Sequence, residues 1–138
     1  MLNIKEKALE DERLKMAEIL QIVAEQENVL KEMRDRKTQL EQDLEAELIN
    51  GIIDIQFISN YQSYISRLDQ DIKMQLDIIQ KTNQELELQK IKVSQAYKEV
   101  KVLEKLKEKQ LKDFENEFLR AEVKETDDIT SARYKRAI

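Results

Sequence analysis

Leu48-Ile49-Asn50-Gly51-Ile52-Ile53-Asp54 holds the one glycine of a 138-residue chain that has no proline. Glycine enters the left-handed backbone region without a Cβ clash, and asparagine tolerates it. Asn50-Gly51 therefore reads as the C-terminal cap of a long helix. Ile52, Ile53 and Ile55 make a short apolar tip beyond it. Asp54 is the preferred N-cap of a second helix, because its carboxylate can accept from free backbone amides two or three residues on. Ser59 with Gln62 is a competing capping box.

Working outward, each flank carries a ladder. Leu2, Leu9, Met16, Val23 and Leu30 stand seven apart, and Leu44 keeps phase after Lys37 takes one rung. On the other side run Ile58, Ile65, Ile72, Ile79, Leu86, Val93 and Val100. An ideal helix drifts about 20° per heptad against such a repeat, so helices that sustain it wrap in a left-handed supercoil. The expected fold is all-α: a long antiparallel two-helix coiled-coil hairpin with a C-terminal overhang. As a single domain over 1–138, it divides into helix one (about 3–48), tip (about 49–55), helix two (about 56–124) and a short tail (125–138).

The second half of the seam is mixed. Ile19, Met33 and Leu40 share it with Lys5, Glu12 and Gln26; Tyr61, Leu68, Ala96 and Leu103 share it with Gln75, Thr82 and Gln89. Around Lys107 the phase slips and resumes as Leu111, Phe114, Phe118 and Ala121, a stutter. Thr126-Asp127-Asp128 is expected to break the helix, since acidic groups oppose the negative C-terminal dipole. A basic tail with Arg133, Lys135 and Arg136 follows. Folded at Gly51, helix one ends opposite about residue 100, and the rest of helix two has no partner in cis. That overhang carries Leu106, Leu111, Phe114, Phe118, Leu119 and Val123 beside Lys101, Lys105, Lys107, Lys109 and Lys112. An exposed apolar stripe of this kind marks a contact surface.

Composition narrows the chemistry. Without histidine or cysteine, the usual zinc sets and the Ser-His and Cys-His nucleophile pairs cannot be built. One glycine cannot make a phosphate-cradling loop. Asp69-Gln70-Asp71 and Asp127-Asp128 are the nearest carboxylate clusters, on open helical faces without a pocket. The expectation is no enzyme, no cofactor and no metal. No stretch approaches the roughly 18 apolar residues of a membrane span, and the amino terminus lacks a signal-peptide core. A soluble cytoplasmic protein is expected. A net charge of -5 argues against general nucleic-acid affinity. Within Lys101–Lys112, Glu104 and Glu108 sit at intrahelical pairing distance and no aromatic residue is available to stack on bases. That segment reads as a solvated face or a contact with an acidic protein surface.

Asn60-Tyr61-Gln62-Ser63-Tyr64-Ile65-Ser66-Arg67-Leu68 resembles the Gln-Asn-Tyr-Gln-x-Tyr-x-x-x-Leu stretch of the flagellar export protein FliJ family. Lys98-Glu99-Val100-Lys101-Val102-Leu103-Glu104-Lys105-Leu106-Lys107-Glu108-Lys109 is similar to that family's Leu-Glu-Lys-Leu-Lys-Glu signature. Phe114, Glu122 and Asp127-Asp128-Ile129 are similar to its aromatic, Glu and Asp-Glu-Ile positions, with Asp128 replacing the usual Glu. The family's Phe-x-Phe-x-Leu opening does not precede the matching Leu2-Asn3-Ile4.

The resemblance implies an antiparallel coiled coil similar to a rotary ATPase central stalk, serving as a non-enzymatic stalk of the flagellar type III export apparatus. Its partners would be the hexameric export ATPase, the cytoplasmic domain of the export gate and the export chaperones, with no nucleic acid. It would lie peripheral to the inner face of the cell membrane at the flagellar base, not inserted. On that model Leu103, Lys105, Leu106, Lys107 and Lys109 contact the ATPase, assisted by Lys5 and Lys7. Tyr64, off the seam, is a candidate gate or chaperone contact, and Tyr61 is a weaker one that also serves as a seam residue. The residues alone leave rivals of other classes: a structural coiled coil that self-associates through the overhang, a holdase gripping clients with Ile52, Ile53, Ile55 and Phe57, and an RNA-binding rod.

Overall fold

The computed structural model describes residues 1–51 and 54–137, apart from the Ala137 side chain. Two α-helices make up the described chain: α1, Leu2–Ile49, and α2, Ile55–Ala137. They pack against each other as a helical hairpin, and no strand occurs among the described residues. Gly51 turns the chain with φ +79°, a value that costs an L side chain roughly 1–2 kcal/mol. The Asn50 amide still donates to the Ala46 carbonyl at 3.1 Å, so α1 stays hydrogen-bonded up to the cap. Asp54 caps α2: its Oδ1 accepts from the Gln56 amide at 3.0 Å. Ser59 and Gln62 lie inside the helix. Ile52 and Ile53, two of the four proposed gripping residues, lie outside the described residues. Ile55 is exposed, while Phe57 is half-buried with its ring 4.7 Å from that of Tyr61.

The chain falls into two compact units, Glu10–Ser94 and Met1–Leu9 with Gln95–Ile138. In Glu10–Ser94 the heptad ladders are the interface. Val23, Leu30, Leu68, Ile79 and Leu86 are buried, and Met16, Ile19, Met33, Leu40, Leu44, Ile58, Ile65, Ile72 and Val93 are half-buried. Burying such a side chain completely is worth roughly 1.5–3 kcal/mol, and a two-helix seam realises part of this at each rung. Polar rungs interrupt it. Gln75, Thr82 and Gln89 are themselves buried, and each finds a carbonyl. Gln75 Nε2 donates to the Gln26 carbonyl at 2.9 Å, Thr82 Oγ1 to Ile78 at 3.0 Å, and Gln89 Nε2 to Glu12 at 2.9 Å. Gln89 also reaches a Glu12 carboxylate oxygen at 2.5 Å. This hydrogen bond holds the Glu12 carboxyl below its ordinary value of 4.5, against the desolvation that raises it; Lys15 and Lys92 add to the lowering. Lys37, the rung that breaks the first ladder, leaves the seam to meet Asp69 at 2.6 Å. The Asp69 hydrogen bond raises its pKa.

In the other unit Leu9 and Val100 are buried, with Leu2, Lys5, Ala96 and Leu103 half-buried around them. From Lys105 to Arg136 every residue of α2 is exposed. The expected break at Thr126-Asp127-Asp128 is absent: α2 continues beyond Lys124 to Ala137. The dipole opposes acidic groups only in a helix's last turn, and that turn carries Lys135 and Arg136. No proline or glycine stands nearby to stop the helix.

Candidate functional site

The unit formed by Met1–Leu9 and Gln95–Ile138 carries the lysine-rich segment. Lys5 occupies a seam position but cannot remain there as a buried charge. Its Nζ turns out to Glu99 Oε2 at 3.0 Å. A shallow hollow forms beside this pair, lined by Met1, Lys5, Lys98, Glu99, Val102 and Leu103. Of the seven lysines and leucines singled out from the sequence, Lys5 and Leu103 are thus brought together. Glu99, which anchors Lys5, was not among them, because its role depends on a helix register that pattern reading does not supply.

The remaining members lie along α2. Lys105, Lys107 and Lys109 are exposed and make no ion pair among the described residues, and Leu106 is exposed beside them. At 3.6 residues per turn, Lys105 and Lys109 share one face, while Lys107 follows Leu103 onto the face that continues the seam. Lys7 is exposed on α1. Lys101, by contrast, is engaged: Glu104 Oε2 lies 3.1 Å from its Nζ, and the Tyr97 ring centroid 5.4 Å away. Its ammonium pKa is raised, first by the Glu104 hydrogen bond and then by the charges of Glu104 and Tyr97. Of the run's lysines, Lys101 alone is engaged, and Lys105, Lys107, Lys109 and Lys112 make no ion pair among the described residues.

The two candidate tyrosines belong to Glu10–Ser94. Tyr61 is half-buried and packs on Phe57. Tyr64 is exposed, as its off-seam position implies, and Arg36 lies over it, with Cζ 5.4 Å from the ring centroid and Nη2 donating to the hydroxyl. A guanidinium against an exposed ring presents a fixed polar-aromatic surface. Arg36 had no sequence signal, since it sits on the far helix. No group of histidine, cysteine, aspartate or glutamate that could hold a metal occurs among the described residues.

The family model described as "Flagellar FliJ protein" matches residues 1–138. The chain belongs to the FliJ family. A curated relative, the Flagellar FliJ protein of Bacillus subtilis (strain 168), is 39% identical over 123 residues, covering 86% of this chain and 82% of the relative. No solved structure matches. The FliJ match includes both tyrosines and the free lysines, so neither surface is an insertion outside the family's span.

Proposed function

We propose that this FliJ-family chain is a non-enzymatic component of the flagellar type III export apparatus, acting as a stalk for the export ATPase ring. Family membership supports a part in flagellar export. The observation that carries the finer reading is a bare stretch of α2 with unpaired Lys105, Lys107 and Lys109 beside the exposed Leu106 and the hollow at Leu103. Lysines that are not committed in cis steer toward an acidic ring surface, and adjacent apolar side chains supply burial once docked. Lys5 and Lys7 assist from α1. Tyr64 with Arg36 is the candidate contact for the export gate or the export chaperones, with Tyr61 supporting it through the Phe57 stack. No described helix is long and apolar enough to cross a membrane. The proposed location is cytoplasmic, at the inner face of the cell membrane at the flagellar base.

The test is co-sedimentation of the chain with the purified export ATPase hexamer. Binding with fewer than one chain per ATPase subunit is expected, with loss on Lys105→Glu combined with Lys109→Glu. One chain on every subunit, or capture unchanged by the double reversal, removes the stalk reading.

A further inference from the structure

Beyond Lys109 the exposed part of α2 sorts its side chains by face. At 3.6 residues per turn, Leu111, Phe114, Phe118 and Ala121 form one stripe, continuing the phase of Leu103 and Lys107; Glu125 interrupts it before Ile129 resumes it. Phe114 and Phe118 are 67% and 57% exposed, and a shallow apolar hollow lies between them, lined also by Leu119. Two exposed phenylalanines in a chain that has three represent a contact surface rather than scattered apolar exposure. The margins of the stripe are what specify its occupant. Glu104, Glu108, Glu115 and Glu122 each follow a stripe position by one residue and line one margin without a single lysine among them. Glu104 is tied to Lys101; the other three have no ion pair among the described residues. Glu117 and Asp128 stand on the opposite margin, with Lys124. Lys105, Lys109, Lys112 and Arg120 lie on the back of the helix, away from the stripe.

We infer that the Leu111–Ile129 face is a docking site for an amphipathic helix of another protein, with apolar anchors at heptad spacing and lysine or arginine on its margins. In helix pairing the residues flanking the seam select the partner by charge. A second copy of this chain is a poor occupant for that reason. Paired antiparallel about residue 116, two copies would match Phe114 to Phe118, Leu111 to Ala121 and Lys107 to Glu125, yet along one margin bring Glu115 beside Glu115 and Glu108 beside Glu122. Like charges at such positions select against self-pairing while leaving the apolar seam intact for a basic-margined partner. This site uses the face opposite to Lys105 and Lys109, so it goes beyond the stalk reading and does not depend on it.

The probe is a fluorescein-labelled amphipathic peptide of roughly 28 residues with leucine at the seam positions and lysine on both margins, paired with a peptide carrying glutamate instead. Fluorescence anisotropy with the full chain at physiological salt should show micromolar binding of the lysine-margined peptide, at least about tenfold tighter than the other. Glu108→Lys, Glu115→Lys and Glu122→Lys together should invert the preference. Phe114→Asp with Phe118→Asp should abolish binding of both, and Lys105→Glu with Lys109→Glu should leave it no weaker. Equal affinity for the two peptides, no inversion, or no binding of the lysine-margined peptide at about 100 µM would each overturn the inference. So would sedimentation showing a micromolar dimer of the free chain that Phe114→Asp dissolves, because the face would then belong to a second copy. Loss of ATPase capture with peptide binding retained, in the lysine double reversal, separates this site from the stalk contact.

Discussion

Replacing Gln26 with leucine should make the hairpin more stable. Gln26 stands at a seam position of α1, and its Oε1 is enclosed with no hydrogen-bond partner among the described residues. The buried Gln75 amide bypasses that oxygen and donates to the Gln26 backbone carbonyl, which leucine retains. An enclosed acceptor left without a donor costs about 1–3 kcal/mol. Leucine removes that cost and adds partial apolar burial between the rungs of Val23 and Leu30, at about 0.8 kcal/mol per buried methylene. The expected gain is roughly 1.5–2.5 kcal/mol, equivalent to about 5–8 °C in Tm for a chain of this length. Gln26→Glu is the matched control and should melt below the parent, since it sets a carboxylate in the same enclosure. Thermal melts followed by circular dichroism at 222 nm, with urea titrations to check that the slope is unchanged, decide it. A Gln26→Leu variant that melts at or below the parent temperature would mean the oxygen is satisfied and the polar rung is worth more than an apolar one.

Three further outcomes follow from the same geometry. Glu12 has a depressed pKa, so its contribution to stability is present above the unfolded value of 4.5 and lost as pH falls through the folded one. Glu12→Gln should therefore melt below the parent at pH 6, with the difference closing as the pH is taken progressively below 4.5; a gap constant with pH contradicts the Gln89 bond as its cause. At Gly51 an added Cβ meets nothing within 4 Å, so Gly51→Ala reports backbone strain alone: about 1 kcal/mol and 3–4 °C of Tm, with Gly51→Asn less affected. Amide exchange by mass spectrometry should show Lys105–Arg136 on the order of a hundredfold less protected than Leu68–Val100, because an unpacked helix opens without breaking a tertiary interface. Equal protection would mean that the segment is covered.

The hairpin was legible because a sevenfold repeat has few physical solutions. Leu9, Val23, Leu30, Leu68, Ile79, Leu86 and Val100 were all named as rungs, and all are buried. The Gly51 turn and the Asp54 cap were legible for a similar reason, since each depends on local chemistry. The end of α2 was misread because the rule about acidic residues and the dipole was applied at Asp127-Asp128, two turns and more before the helix stops. Pairings across the seam were hidden. Gln89 with Glu12, Lys37 with Asp69 and Arg36 with Tyr64 each require the register between helices, which periodicity fixes only to within a heptad. The lysine cluster was readable as a cluster, but its division into an engaged Lys101 and unpaired Lys105, Lys107, Lys109 and Lys112 depends on side-chain geometry that spacing does not supply.

The amides of Gln75 and Gln89 give the Glu10–Ser94 pair a memory of its alignment. Sliding one helix past the other by a full heptad would leave most rungs of the two heptad ladders facing apolar partners, so oil alone cannot forbid the slip. In one direction such a shift would push Gln89 onto Ile19 and Gln75 onto Met33; in the other it would set Gln75 against Ile19. Either way the clasp between Gln89 and Glu12 is torn open, and that carboxylate loses its amide donor. These few hydrophilic side chains act as notches on a ruler, and a load along the two helices meets a latch before it meets grease.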